Sequence, residues 1–596
     1  MQILKFFLFG LFLLSFQDSF GQQNERITPK AKSRIDSLYT KYAASMKKGG
    51  VAIAIVDTAG IVYSRGYGFA DFDAQIPATD TTIFGIGSIS KSFTAISILQ
   101  LQKQGKLNVN ESVKKYIPEL TIKNSDGSEN PLYISSLLAH ISGLQGEILN
   151  GFFCDNPPPQ ASIIPELNKQ YCAAADNYQF AYSNAGYGLL GETIQRISNL
   201  SYSNYLQKNI LSPLGMNSTF ISPSDPRHKN AAKTYIKGKS YVDAFIRDEA
   251  AGMIRSNVID MGKYVTALLN AARGLDNKAF DAEMIRLMST SRHDDLLLSR
   301  ISSEYWGWGL YADKLTCKTD STEATWVGHA GDTFGYHATM GFIPELGVGV
   351  IILTNTAEVS SARSTLSLMN EYLKANSKKT YSITPPKFEL KNEYADASYN
   401  ESIKGVYFMG DIPLKMDSKL RMVGKQGPAK LVFQRVHPDS TLYTVKAKLL
   451  GFIGIKVRDQ YFRFENLNGN TYLKGINSKA KSEEFISINQ RPTAIPQTWK
   501  NAMGTYSLAS DFFSCKECPE LNFDKFESVE LLEKDGFILF KLRFEDKKET
   551  LDKYMIALDD TYAKSTGIGR GTGDTFKLLP NGNLYYSGFE FKKKIK

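Results

Sequence analysis

Eight residues, Phe84-Gly85-Ile86-Gly87-Ser88-Ile89-Ser90-Lys91, constrain this chain more than any other stretch. They lead from a strand-like segment into a long apolar helix pattern. Ile89, Phe93, Ile96 and Leu99 recur at helical spacing, and Gly105 supplies a stop. So apolar a helix is expected to be buried. Ser88 falls where the helix begins and Lys91 lies one turn later. Residues three apart share a helix face, so the hydroxyl and the amine can meet. The helix dipole adds positive potential near Ser88, which stabilises developing negative charge. Alone, Ser-x-x-Lys is weak, because both residue types are common. Its weight comes from two polar clusters further along the chain.

With 596 residues the chain is too long for one core and long enough for two or three domains. A hydrophobic content of 42% and a charged content of 22% are ordinary for globular protein. The net charge of +10 is dispersed, apart from Lys592-Lys593-Lys594, and no aromatic RNA-binding motif accompanies it. Nucleic acid is therefore not an expected partner. Residues 1–21 have the form of a secretory signal. Lys5 precedes an apolar run over 6–16, and Ser19-Phe20-Gly21 offers a cleavage site. The run is short for a bilayer span. The expectation is a periplasmic or secreted protein with no membrane span after signal removal. Export permits disulfides. Cys154 and Cys172 flank Asp155-Asn156-Pro157-Pro158-Pro159 and can staple that loop, with the disulfide pairing left open. Cys515 and Cys518 read as a local disulfide, and Cys317 is left over.

Residues 34–44 read as a helix. Runs 51–56 and 61–63 read as strands around Asp57-Thr58-Ala59-Gly60. A helical stretch over 132–140 ends in His140-Ile141-Ser142-Gly143-Leu144. Tyr182-Ser183-Asn184 precedes a helix carrying Tyr187, Leu190, Ile194 and Ile197 on one face. Ser256 is a plausible cap for a helix burying Met261, Tyr264, Val265 and Leu268. His329-Ala330-Gly331-Asp332 opens a strand pair over 338–343 and 348–353, and 360–373 reads as a helix. Strands at both ends with helices between imply an α+β domain whose sheet uses both termini. We place it at 22–378, with a linker at 379–387 around Pro385-Pro386. Beyond it, alternating runs and the turns Asn468-Gly469, Asp535-Gly536 and Asn581-Gly582 imply β-rich units at 388–492 and 493–596. Gly405-Val406-Tyr407 and Gly504-Thr505-Tyr506 suggest that the two are related barrels.

Three polar clusters now stand in order: Ser88/Lys91, Tyr182/Asn184 and His329/Gly331. With the Gly-Leu after His140 and the Pro213-Leu214-Gly215-Met216 turn, they resemble the serine β-lactamase and penicillin-binding protein superfamily. The nearer match is its class C branch, with DD-carboxypeptidases, D-aminopeptidases and certain esterases. The resemblance covers about residues 35–375. It implies a β-lactamase/transpeptidase-like catalytic domain, an antiparallel sheet with helices, ahead of the β-rich region.

A serine hydroxyl needs a base before it attacks. Lys91 fits if burial or a second cation lowers its pKa. The resemblance makes Tyr182 the second candidate base and the donor to the leaving group; which acts first stays open. It makes Asn184 a holder of Lys91 and a substrate-amide contact. It places oxyanion donors at the Ser88 and Asp332 N–H groups. Gly331 is expected to let substrate approach the strand. His329 stands where many relatives have lysine; it is expected to orient Tyr182 or touch substrate, with a pH-dependent charge. His140 reads as a packed residue, and Trp306 and Trp308 as core. The six histidines show no metal spacing, so neither metal nor cofactor is expected.

The implied function is an exported serine hydrolase with a Ser88 acyl-enzyme. Its partner is a small-molecule or peptide substrate, peptidoglycan-derived fragments among the candidates. Ester, D-peptide and β-lactam all stay open, as does oligomeric state. The alternative is a non-hydrolytic binder of envelope fragments or β-lactams. The break at Pro385-Pro386 also implies that residues 22–378 react without the C-terminal part.

Overall fold

Strand Gly50–Asp57 shows how the catalytic part is built, because its two faces are both apolar and bury separately. Ala52, Ala54 and Val56 point into the large core formed with the central helices. Val51, Ile53 and Ile55 point into a second core. Side chains alternate across a strand, so a strand covered on both faces must be apolar at every position. The second face is closed by helices Pro29–Ser45 and Ala362–Ser377, which pack on each other. Full burial of each such Val or Ile side chain is worth about 1.5–3 kcal/mol.

The computed structural model describes residues 26–594, except for 47, 153, 155, 223, 237, 242–244, 276, 294–295, 300–303, 334, 357–361, 411, 427–428, 450–452, 510–525 and 545–549. The leader at 1–21 and the pair Cys515 and Cys518 fall outside the described residues.

Gly50–Asp57 pairs antiparallel with Val348–Thr354, from Val51 opposite Thr354 to Asp57 opposite Val348. On one side lie, in order, His337–Ile343, Glu323–Asp332, Tyr311–Cys317 and Glu304–Trp306. On the other lie Gly60–Asp71 and Ile76–Pro77. The sheet thus joins both ends of the catalytic part, and it places the His329 strand beside the Ser88 turn. Helix Ser90–Lys103 is buried from Ser90 to Leu101. The stretch over 132–140 is helical only at Ile134–Leu138, and His140 ends it with φ +60°.

Beyond Tyr381–Ile383 come two eight-stranded antiparallel sheets. The first runs from Val406–Met409 to Ser482–Ile488, and Val406 also bridges Gln490. The second, from Gly504–Leu508 to Phe589–Lys593, closes into a barrel. Each is preceded by a short helix, Ala397–Ser402 and Gln497–Ala502. The tyrosine hydroxyl of each Gly-x-Tyr segment donates back to its helix end: Tyr407 to the Ile403 carbonyl and Tyr506 to that of Ala502.

A staple between Cys154 and Cys172 is absent. Each is a buried thiol. Cys154 is held by backbone hydrogen bonds with Phe245, and its Sγ lies 3.6 Å from the Gly151 oxygen. Cys172 pairs through its backbone with Asn124, and burial pushes its thiol up to about 12. These backbone bonds hold the two cysteine positions.

Candidate active site

Ser88 sits in a single 3-10 turn, Gly87–Ile89, just before helix Ser90–Lys103. The turn exists because glycine supplies two close approaches. Gly87 has φ +50°, and a Cβ there would lie 2.7 Å from the Asp332 nitrogen. A Cβ on Gly331 would lie 2.0 Å from the Ile86 oxygen and 2.8 Å from the Ser88 nitrogen. The Ser88 and Asp332 backbones are therefore pressed together, which any side chain at 87 or 331 would prevent. On its Cβ side, what Gly331 meets is the Ser88 turn of the same chain.

Lys91 is fully buried. Its Nζ lies 3.1 Å from Ser88 Oγ and donates to Asn184 Oδ1 and to the Ala251 carbonyl, each at 2.7 Å. Burial, then the Arg570 charge, hold its pKa well below the ordinary lysine range; Glu147 and Asp248 oppose this. Asn184 opens helix Asn184–Ser198. Ser183 caps that helix by accepting from the Gly186 N–H at 2.9 Å. The cap fixes Tyr182 just outside the helix and Asn184 just inside, so both face Lys91. Lys91 Nζ is 4.8 Å from the centre of the Tyr182 ring. Burial raises the Tyr182 phenol pKa; its bond with Ser88 and the Arg570 charge pull the other way.

His140 packs against Tyr182, with ring centres 4.2 Å apart, and its Nδ1 accepts from the Ser183 N–H at 3.0 Å. It is a packing residue, as its place at a helix end implies, and the residue it packs is Tyr182. Trp306 departs from expectation. It sits edge-on to Tyr182 at 5.9 Å and to His329 at 5.4 Å, and it lines the cleft. Trp308 is buried. His329 bonds through Nδ1 to the Ala330 carbonyl. Burial, with Lys91 nearby, depresses its pKa to about 3, so it is neutral across the physiological range rather than a pH-dependent cation. Asp332 is exposed and pairs with His337 at 2.5 Å.

The cleft has a volume of about 590 Å³, and Ser88, Tyr182, Asn184, His329 and Asp332 all line it. Among the lining residues that sequence reasoning missed, two are charged, Glu147 and Arg570. Arg570 belongs to the second barrel. It forms an ion pair with Glu147, and its guanidinium lies 5.0 Å from the Tyr182 ring centre. Glu147 also accepts from Asn184 Nδ2 at 3.1 Å. One signal was available: Gly567-Ile568-Gly569-Arg570-Gly571-Thr572-Gly573, where glycine alternates without the compactness of a hairpin turn. All four glycines have positive φ. Among the described residues no cluster of three or more His, Cys, Asp or Glu could hold a metal ion.

The Beta-lactamase family model matches residues 35–373. A β-lactamase of Escherichia coli strain K12 is 25% identical over 343 residues, which cover 54% of this chain and 88% of that protein. Protein flp of Staphylococcus aureus strain COL is 30% identical over 217 residues, 35% of this chain and 42% of its own length. The chain thus spans less than half of that relative. The octameric penicillin-binding protein homologue from Pyrococcus abyssi aligns at a TM-score of 0.49 and 24% identity, over 77% of this chain and 99% of that one. The family model's residues 35–373 cover more than half of the chain and hold the Ser88–Lys91 pair, Tyr182 with the Ser183 cap, and the His329 strand. The chain belongs to the Beta-lactamase family.

Proposed function

We propose that this protein is an exported serine hydrolase that cleaves an ester or amide through an acyl-enzyme on Ser88. The observation that carries this reading is the coordination of Lys91. Two carbonyl oxygens, of Asn184 and Ala251, each take one N–H. Once the amine is neutral, its lone pair is left for the third neighbour, Ser88 Oγ at 3.1 Å. The low pKa of Lys91 makes the neutral form accessible.

Ser88 then gives its proton to Lys91 and attacks the carbonyl carbon. The oxyanion is received by the N–H groups of Ser88 and Asp332, whose backbones Gly87 and Gly331 bring together. Tyr182, protonated because its pKa is raised, donates to the leaving group. Water then attacks the ester on Ser88, giving its proton to the Tyr182 phenolate; the acid leaves as Lys91 returns its proton to Ser88 Oγ, which restores all three groups. Asn184 has one amide end on Lys91 and the other on Glu147, which fixes its orientation.

For substrate class we favour esters or amides without a carboxylate next to the reacting bond. Ala330 has no hydroxyl to receive one, His329 is uncharged, and Asp332 adds negative charge at the rim. Arg570 is already compensated by Glu147. One missing hydrogen bond to a charged group costs about 1.5–3 kcal/mol, roughly ten- to a hundredfold or somewhat more in rate. The test is the ratio of kcat/KM for p-nitrophenyl butyrate to that for nitrocefin, in wild type and Ala330→Thr. The ester should be the better wild-type substrate, and Ala330→Thr should improve nitrocefin relative to it. Nitrocefin as the better wild-type substrate would overturn the carboxylate argument.

A further inference from the structure

The matched family region ends at residue 373, yet the cleft is completed almost two hundred residues later in the chain. The Gly567–Gly573 loop of the second barrel is anchored on the catalytic part at several points. The Gly569 N–H donates to Gln179 Oε1 at 3.3 Å. A Cβ on Gly573 would meet the Ala173 oxygen at 2.7 Å, so the two backbones touch. Within the loop, Thr572 Oγ1 donates to the Gly569 carbonyl at 2.8 Å, and Lys553 Nζ donates to the Gly571 carbonyl at 2.9 Å. So fixed a loop delivers its arginine to one place. From there bonds run in series: Arg570 to Glu147, Glu147 to Asn184, Asn184 to Lys91, Lys91 to Ser88.

We infer that Arg570 and Glu147 act as a positioning pair: the second barrel supplies a cation that neutralises Glu147 beside the Ser88–Lys91–Tyr182 machinery and thereby keeps Lys91 available as a base. The inference rests on Ser88 as nucleophile and Lys91 as its base. Its physical content is a balance of signs. Removing the cation alone unmasks Glu147, and both changes favour the ammonium form of Lys91. Removing Glu147 alone does the reverse. Removing both cancels most of the effect. The other ionisable groups around Lys91 are known. The rings of Tyr182 and Tyr187 lie at 4.8 and 5.4 Å. The Asp248 charge is tied to buried Arg247 at 2.8 Å. His140 and His329 are both held neutral, their pKa values depressed first by burial. Arg570 and Glu147 also act on Tyr182, and Arg570 on His140, but burial dominates at both: it holds the phenol above its ordinary range and the imidazole below its own, so the sign pattern on the acid limb reads the pair's action on Lys91.

The experiment is the pH dependence of kcat/KM for p-nitrophenyl butyrate in full-length wild type, Arg570→Gln, Glu147→Gln, the double variant, and Arg570→Lys. The acid limb should move up by roughly half a pH unit or more in Arg570→Gln, and down in Glu147→Gln. It should return close to wild type in the double variant and stay close in Arg570→Lys. An unmoved acid limb in Arg570→Gln overturns the inference. So does a rise in KM confined to carboxylate-bearing substrates with the limb unchanged, which would make Arg570 a substrate contact. The same plates carry Ser88→Ala: if that variant still hydrolyses, the underlying reading fails. If it is dead and the limbs do not shift, only the pair fails.

Discussion

The two C-terminal units are built alike and used differently. Both start with a short helix and a Gly-x-Tyr segment whose hydroxyl closes on the helix end, and both continue as eight antiparallel strands. The first touches the catalytic part at Tyr472, whose hydroxyl bonds that of Tyr178. The second is seated along a broad line. Ser587 bonds the Leu149 and Asn150 backbones, Thr575 bonds Tyr171, and Tyr585 bonds Glu166. Leu149 packs on its core. One of its loops then enters the cleft. Strand number and the helix–tyrosine closure are shared; the second unit differs in its closed barrel, its broad seat and one loop whose glycines let it reach a foreign surface.

Substitutions graded by distance from Ser88 break or sharpen that contrast. Ser88→Ala sets the scale: hydrolysis should fall by roughly 10³ or more with an unchanged circular dichroism spectrum. Near wild-type turnover of the purified variant would remove Ser88 from the mechanism. Ending the chain at 492 removes the second barrel only. Leu149 is then uncovered and the Arg570 charge lost, so soluble protein should retain at most about a hundredth of wild-type kcat/KM. This replaces the expectation, drawn from the linker alone, that residues 22–378 would react unaided. Full activity of the shortened chain would return the second barrel to the status of the first. Gly573→Val comes next. Its φ of +72° and its contact with Ala173 forbid a branched side chain. A displaced loop should cost about threefold or more in kcat/KM on the acid side, through the same acid-limb shift as Arg570→Gln. Tyr472→Phe, at the first unit, should change kcat/KM by less than about twofold. A larger loss would show that the first unit also serves the cleft.

Acid sensitivity separates the site from the barrels in another way. His140 and His329 are buried in their neutral form, with pKa values below the ordinary histidine range. At these two positions the unfolded chain binds protons near pH 6.5 and the folded chain does not. Stability from this source is therefore full above about pH 7 and is lost as pH falls from about 6.5 toward 3. The urea midpoint should drop over that window, and His329→Asn should flatten the drop. An identical slope in the variant would contradict a buried neutral His329.

Much of the site was legible because its parts are local. Ser88 and Lys91 are one turn apart, and Tyr182 and Asn184 flank one cap. The strand pair after His329 is buried almost throughout and is bounded by a Pro-Glu-Leu-Gly turn. The sheet joining residues 50–57 to 348–354 could be read from strands at both ends. What escaped was set by distant packing. Trp306 has the composition of a core residue, and only its seat beside Tyr182 makes it a cleft wall. The charge of His329 depends on burial, which no motif encodes. Glu147 and Arg570 lie 423 positions apart, and no periodicity links such a pair. The alternating glycines were visible, but the surface they let the loop reach was not.

The central claim is that Ser88 becomes covalently acylated. It is tested most directly by intact-mass analysis after treatment with a fluorophosphonate, with peptide mapping of the product. The account predicts a single adduct, on the peptide containing Ser88, and none in Ser88→Ala. An adduct on another residue, or wild-type protein that hydrolyses esters while staying unmodified, would contradict it.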